Sequence, residues 1–344
     1  MPITPTIHGQ VLRSPNREDV TRRLEERTRM QHDSLVNSTD IVAHVHDDNT
    51  LEYYLGGFAE DKTPINFCQE AFAQLLNRLR IPTDFYNRNP ADLRLHMFSY
   101  WNRQYDKTCM LRYTDHGNTV RAVLSGIYGL LDDHVLYPAA LTELGENDIE
   151  LVSFSDDHHL SRLLVKFPST TVQHNNITIA GGLAVSNSET GYAATYVEPI
   201  IFSGSHVFCN RTAVIGLKPI IHKGSIDLSR ISTMVATARE ASQVGVVQLA
   251  ESMHEYVSGS HAAVLASKVG IGRYASILKD ELEVADRISK YELAMRILSV
   301  AAQLPLFKAV SVEQQVGAVL GIFRSHRSRI QSIRDELTET GMIG

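Results

Sequence analysis

Apolar spacing along the chain changes period twice, from helical to alternating near Thr108 and back to helical after Ser225. Residues 17–30, REDVTRRLEERTRM, carry too few apolar positions for a core-facing stripe, which predicts a charged helix that packs weakly or stands off as an arm. Phe72, Leu75, Leu76 and Leu79 then recur at helical spacing up to the break at Ile81-Pro82. A second helix is expected beyond Pro90, with Leu93, Met97 and Trp101 along it. From Thr108, CMLRYTDHGNTVRAVLSGIYGLL reads as two strands around a D-H-G-N turn. LVSFSD, RLLVKF, NITIAGGLAVSNS and GYAATYVEPIIF continue the β-rich part, separated by Asn, Gly and Ser.

After Ser225 the strands are expected to stop. Helical faces follow at Leu228, Ile231, Val235 and Ala238, at Leu278, Leu282, Ala285 and Ile288, and at Val316, Val319, Leu320 and Phe323, with Ser311 and Gln314 as a capping box for the last. Helices, then strands, then helices predict an α+β fold, an antiparallel β-sheet core flanked by N-terminal helices and a helical C-terminal region. The expected divisions are a polar N-terminal arm with a charged helix (1–60), an α+β core domain (61–225) and the helical region (226–344). No internal repeat stands out.

Composition narrows the function classes. A hydrophobic content of 43% over 344 residues supports a sizeable core. The net charge of −6 means that any site for a polyanion is a local patch. Cys68, Cys109 and Cys209 form no C-x-x-C pair, which argues against a disulfide framework or a cysteine-based zinc site and fits a reducing cytoplasm. No stretch has the length of a signal-peptide core or a membrane span, so no membrane partner is expected.

Three acid-histidine clusters offer ligands for a divalent metal: His44, His46, Asp47 and Asp48; Asp132, Asp133 and His134; and Asp156, Asp157, His158 and His159. None has a spacing that demands a metal, and such groups are equally at home on solvated turns beside strands. Nucleophilic catalysis has less support. There is no G-x-S-x-G elbow, and GIGR (270–273) lacks the preceding strand of a phosphate-binding loop. His206 is the one histidine close in sequence to a cysteine, Cys209, and on a strand the two fall on opposite faces.

The basic residues are more suggestive. Arg78, Arg80, Arg88, Arg94 and Arg103 alternate with Phe85, Tyr86, Tyr100, Trp101 and Tyr105, the combination of cations and stacking rings that single-stranded nucleic acid requires. The competing reading is arginines on the wet faces of amphipathic helices and aromatics in the core. Arg324, Arg327, Arg329 and Arg334 make a second basic cluster, which the dipole of a helix C-terminus would favour by itself.

In the stretch SETGYAATY, Asn187, Ser188 and Glu189 favour a turn, and Gly191 can supply a backbone angle that other residues resist. Tyr192, Ala194 and Tyr196 would then share one face of the next strand. Glu189 has no partner evident in sequence, and the turn-fixing role, accepting backbone N–H groups, stands beside a catalytic one.

The helix ending in IP at Ile81-Pro82, the run RAVLSGIYGLLD from Arg121 to Asp132, the turn NSETG from Asn187 to Gly191 and the strand end CN at Cys209-Asn210 occur in the order seen in a phage/plasmid-like family of unknown function. The chain resembles that family over roughly residues 65 to 225. It departs from it where Arg211 and Thr212 follow Asn210, with Gly216 only later, and where Lys218, His222 and Lys223 are the only residues matching an arginine-rich segment. The resemblance implies a phage or mobile-element protein working near DNA replication or recombination, with no family activity to carry over.

Three functions follow as expectations. The first is non-enzymatic binding of single-stranded DNA by a homo-oligomer, as in strand annealing, with Arg78, Arg80, Arg88, Arg103, Arg112 and Arg121 on phosphates and Tyr86, Tyr100, Trp101 or Tyr105 on bases, and no cofactor. The second is a metal-dependent hydrolase or nuclease built on Asp132, Asp133, His134, Asp156, Asp157 and His158. The third is a structural or interaction protein that binds a host or phage protein.

Overall fold

The computed structural model describes residues 10–56, 62–114, 119–174, 176–209, 217–269, 271 and 274–320. In chain order the first elements are β1 (Gln10–Arg13), α1 (Arg17–Arg29), β2 (His32–Asn37), β3 (Ile41–Val45), β4 (Leu51–Leu55), β5 (Asn66–Phe67), α2 (Gln69–Arg78), α3 (Thr83–Asn87) and α4 (Ala91–Tyr105). Next come β6 (Thr108–Thr114), β7 (Thr119–Ser125), α5 (Asp133–Leu144), β8 (Glu150–Asp156), β9 (Ser161–Lys166), β10 (Val172–His174), β11 (Ile177–Asn187), β12 (Tyr196–Ser203) and β13 (His206–Cys209). The last are α6 (Ser229–Ser252), β14 (Tyr256–Ser258), α7 (Gly259–Ser267), α8 (Tyr274–Glu283), β15 (Arg287–Ser289), α9 (Lys290–Ala301) and α10 (Leu306–Leu320).

The fold is α+β, as the order of periodicities predicts, with two principal sheets. A seven-stranded antiparallel sheet runs β1-β8-β9-β11-β12-β13, with β10 paired to β11 beside that path. A four-stranded sheet runs β2-β6-β7-β5 and is antiparallel except for the short β5–β7 pair. β11 is buried along nearly its whole length because α6 covers it, so it reads as a continuous apolar run instead of an alternation. Three cores result. Val20, Leu24, Tyr137, Phe154 and Val235 join α1, α5 and α6 to the large sheet. Tyr53, Phe72, Leu75, Phe98 and Leu111 join α2 and α4 to the small one. Leu249, Leu282, Leu293 and Ile297 close the C-terminal helices over Ile201 and Phe208.

The segment read as a polar arm is woven into both sheets. β1 pairs with β8 and β2 with β6, while β3 and β4 form a hairpin. Asn16 and Asp19 cap α1 reciprocally: the Asn16 side chain accepts the Asp19 amide at 2.8 Å and the Asp19 carboxylate accepts the Asn16 amide at 3.1 Å. The inward face of α1 is a mixed one, with Val20 and Leu24 in the core and Arg23 and Arg27 paired to carboxylates of the interior. A stripe counted in apolar residues alone misses it.

Other expectations shift in detail. Strands do not stop at Ser225: β14 and β15 pair antiparallel, from Tyr256 opposite Ser289 to Ser258 opposite Arg287. Ile288 belongs to β15 and not to the helix that holds Leu278 and Leu282. α10 begins directly after Pro305, so Ser311 and Gln314 lie inside it, where the Gln314 side chain donates to Glu198 at 3.0 Å. On α4 the core takes Ala91, Phe98 and Asn102, leaving Leu93 and Trp101 outside. The D-H-G-N turn (115–118), Gly216, Phe323 and the terminal arginines fall outside the described residues. No helix among the described residues is long and apolar enough to cross a membrane.

If α1 is part of the core, Leu24→Ala should cost about 2–4 kcal/mol, the range for truncating a buried leucine. Equilibrium urea unfolding measures it, and a loss below about 0.5 kcal/mol, typical of exposed positions, would mean an arm after all.

Candidate functional site

The turn between β11 and β12 enters the protein interior, where the two sheets meet. Gly191 holds φ +78°, and a Cβ there would lie 2.7 Å from Leu124 Cδ2, so both backbone and space favour glycine. Asn187 is fully buried and fully used: its Nδ2 donates to the Leu131 carbonyl at 2.8 Å and to Asp133 Oδ1 at 2.7 Å, and its Oδ1 accepts the Thr195 hydroxyl at 2.7 Å. Tyr192 and Ala194 precede the strand, which starts at Tyr196.

Glu189, 5% exposed, sits among cations. Its Oε2 accepts from Arg27 at 2.8 Å and from Arg121 at 2.6 Å, its Oε1 accepts the backbone N–H of Asp133 at 2.8 Å, and its carbonyl oxygen accepts from Arg112 at 3.0 Å. The cations are shared in turn. Arg27 reaches Asp133 at 2.9 Å and Asp156 at 3.5 Å, Arg23 reaches Asp156 at 3.2 Å, and Arg112 bridges Asp33 at 2.9 Å and Asp132 at 2.7 Å. The turn-fixing role expected of Glu189 is thus replaced by a wider one, because its partners come from α1, β6, β7 and the start of α5.

The titration of this centre follows from its wiring. Burial alone would raise the Glu189 carboxyl, but Arg27, Arg121 and Arg112 outweigh it and hold the group well below its ordinary value of 4.5. Burial and the adjacent Glu189 carboxylate push Asp133 up to about 7, against the pull of Arg27. Burial lowers Arg121, whereas for Arg27 the carboxylates of Glu189, Asp133 and Asp156 overcome that effect.

The acid-histidine clusters scatter. Asp132, Asp133 and Asp156 are ion-paired in this centre, His134 is exposed, and Asp157 caps its own turn by accepting the His159 and Leu160 amides at 2.7 and 2.8 Å. These six residues therefore do not converge on a shared metal site. Of the six, His158 is the one that falls in a three-ligand cluster among the described residues: its Nε2 lies 3.9 Å from Cys68 Sγ, with Glu70 beside them. Burial pushes the Cys68 thiol up to about 11 and His158 down to about 4, so the imidazole is neutral near pH 7. The two are 90 positions apart, which hid the pair from the sequence, where His206 looked like the only histidine near a cysteine. His206 instead contacts Ser299 at 3.2 Å.

The basic and aromatic residues divide between interior and surface. Arg112 and Arg121 are only 2% and 6% exposed and belong to the ionic centre, where no phosphate reaches them. Tyr86 is buried, with its hydroxyl 2.7 Å from that of Tyr53. Arg78 donates to the Val123 carbonyl at 3.0 Å, and Tyr105 packs against the small-sheet core. Arg80, Arg88, Arg103, Tyr100 and Trp101 face solvent. Leu93, His96, Tyr100 and Arg103, at helical spacing, form one exposed stripe of α4, opposite Phe98 and Asn102, with Trp101 on its flank. The Tyr100 and Trp101 rings stand edge to face at 5.2 Å.

Compared with known protein families, curated proteins and solved structures, the chain matches none.

Replacing Glu189 by Gln leaves buried guanidiniums without their counter-charge and should cost about 3–5 kcal/mol at neutral pH. Because the Glu189 carboxyl is depressed in the folded state, the stability it contributes is complete above its ordinary 4.5 and lost as pH falls below that. Urea midpoints across that range should show an acid-side slope in the native chain that is shallower in Glu189→Gln. Equal slopes would remove Glu189 as its source.

Proposed function

We propose that the chain binds single-stranded nucleic acid, without a chemical step of its own, through the exposed stripe of α4 and the arginines that precede it. The observation that carries this reading is the exposure of Tyr100 (59%) and Trp101 (42%) on a helix whose other face buries Ala91, Phe98 and Asn102. Large rings left in water are available for stacking on bases, which is sequence-tolerant because every base has a π-face. Arg103 lies on the same stripe, and Arg80 and Arg88 are exposed upstream. None of the three has a carboxylate partner among the described residues. Arg27 and Arg121, by contrast, are held by Glu189.

An unpaired guanidinium next to solvent-facing rings suits a phosphate followed by a base. With a net charge of −6, attraction of the strand depends on local basic patches such as this one. The likeness of the IP, RAVLS, NSETG and CN motifs to phage and plasmid proteins supports recombination or replication as the setting, and repeated copies of the patch in a homo-oligomer would lengthen the track.

Trp101 is the only tryptophan, so intrinsic fluorescence reports the proposed contact directly. An unlabelled oligothymidine should quench it at low salt, and the effect should weaken steeply as salt rises. Tyr100→Ala should lose about 1–3 kcal/mol of binding, roughly 5- to 150-fold in affinity, and Arg103→Ala should flatten the salt dependence. No quenching at low salt, in a chain whose melting is cooperative, would remove the proposal.

A further inference from the structure

We infer that Cys68, Glu70 and His158 form a binding site for a zinc-class divalent cation at the junction of the two sheets. Their ligand atoms, the Cys68 thiol sulfur, a Glu70 carboxylate oxygen and a His158 ring nitrogen, all lie within 4.8 Å of one another. The Cys68 Sγ to His158 Nε2 separation is 3.9 Å, against about 3.5 Å expected between sulfur and nitrogen on a tetrahedral zinc with ordinary bond lengths. A closure of a few tenths of an ångström suffices for that pair. Thiolate and imidazole select a borderline-soft ion over magnesium or calcium, and one carboxylate completes a three-ligand set that leaves a fourth position to water.

Each ligand is held by local structure. Cys68 is the N-cap of α2, where its sulfur accepts the Ala71 amide at 3.4 Å and where the positive end of the helix favours a thiolate. Glu70 lies in the first turn of the same helix. His158 sits in the β8–β9 turn, which is fixed by the Asp157 side chain and by the Thr190 hydroxyl, donating to the His158 carbonyl at 2.6 Å. Thr190 in turn accepts at its carbonyl from Gln74 of α2 at 2.7 Å, so both sides of the site are tied to one turn. The Tyr192 hydroxyl, 3.5 Å from the Glu70 carbonyl oxygen, borders the group, and its ring meets that of His158 edge-on at 6.0 Å.

The charge also balances. Binding releases the Cys68 thiol proton to solvent, and the thiolate and the Glu70 carboxylate then neutralise a dication. Arg121 is close enough to be felt at His158, but its guanidinium is already matched by Glu189. Because α2 packs on β7 while His158 follows β8, the ion would bridge the small sheet's layer to the large sheet.

The site is tested with cobalt(II) as the probe, added to the full chain after chelator treatment and gel filtration. The expected result is one cobalt per chain, with a thiolate-to-cobalt charge-transfer band that zinc displaces and a raised melting temperature. Cys68→Ser should abolish the band, and Glu70→Gln and His158→Gln should each weaken binding by at least about 100-fold. Melting curves of the metal-free variants show whether they fold, and if Cys68→Ser does not, the other two decide. Absence of the band in the native chain, or its persistence at native affinity in folded Glu70→Gln and His158→Gln, would overturn the assignment. Trp101 quenching by oligothymidine is read separately, so either proposal can fail without the other.

Discussion

A single buried carboxylate, that of Glu189, holds the two sheets of this molecule in register. Moving an isolated ion of this kind out of water costs on the order of 20 kcal/mol in the idealised limit, and only full pairing makes its burial tolerable. Here the carboxylate is paired from three directions, Arg27 of α1, Arg121 of β7 and a backbone N–H in the first turn of α5, while Arg112 of β6 donates to the backbone carbonyl of the same residue. None of these elements can slide by one residue without leaving a charge stranded. The apolar cores on either side are permissive about small shifts, whereas the ionic centre is not.

The same requirement explains how arginine is distributed. An arginine on the small sheet and an arginine on α4 are alike in composition, yet the first is consumed by carboxylates and the second remains available. Arg112 and Arg121 lie on strands covered on both sides, where a cation persists only with a partner, and Asp33, Asp132 and Glu189 are those partners. Arg103 lies on the wet side of an amphipathic helix and needs none. Among the described residues, Arg112 and Arg121 are thereby withdrawn from any polyanion.

What the sequence reveals follows from the range of the forces involved. The α2 helix, the β6–β7 hairpin and the turn at Gly191 are set by neighbouring residues, and periodicity or turn chemistry locates them. The position of α1 is not local. Its inward face is half arginine, and its carboxylate partners lie 106 to 162 residues away, so the hydrophobic pattern gives a weakly packed helix where the structure has one docked on the core by that face. Cys68 and His158 are hidden for the same reason. One clue is the glutamate between Asn187 and Gly191, flanked by two strands of largely apolar residues: if buried there, it requires cations from elsewhere in the chain. That reasoning predicts partners without identifying them.

Contacts of such sequence separation bear on the timing of folding as well as on its outcome. Bringing Arg27 to Glu189 closes a long loop, whose entropy must be met before the ion pair returns anything, and the pair gains its strength only once water has left the junction. Both conditions place the ionic centre late on the folding route, after the hairpin and the helices that dock on it. Interactions that form late scarcely affect how fast a chain folds but resist its opening. The turn at Asn187–Gly191 thus acts as a latch, closing after the two layers have met and setting how long they stay together.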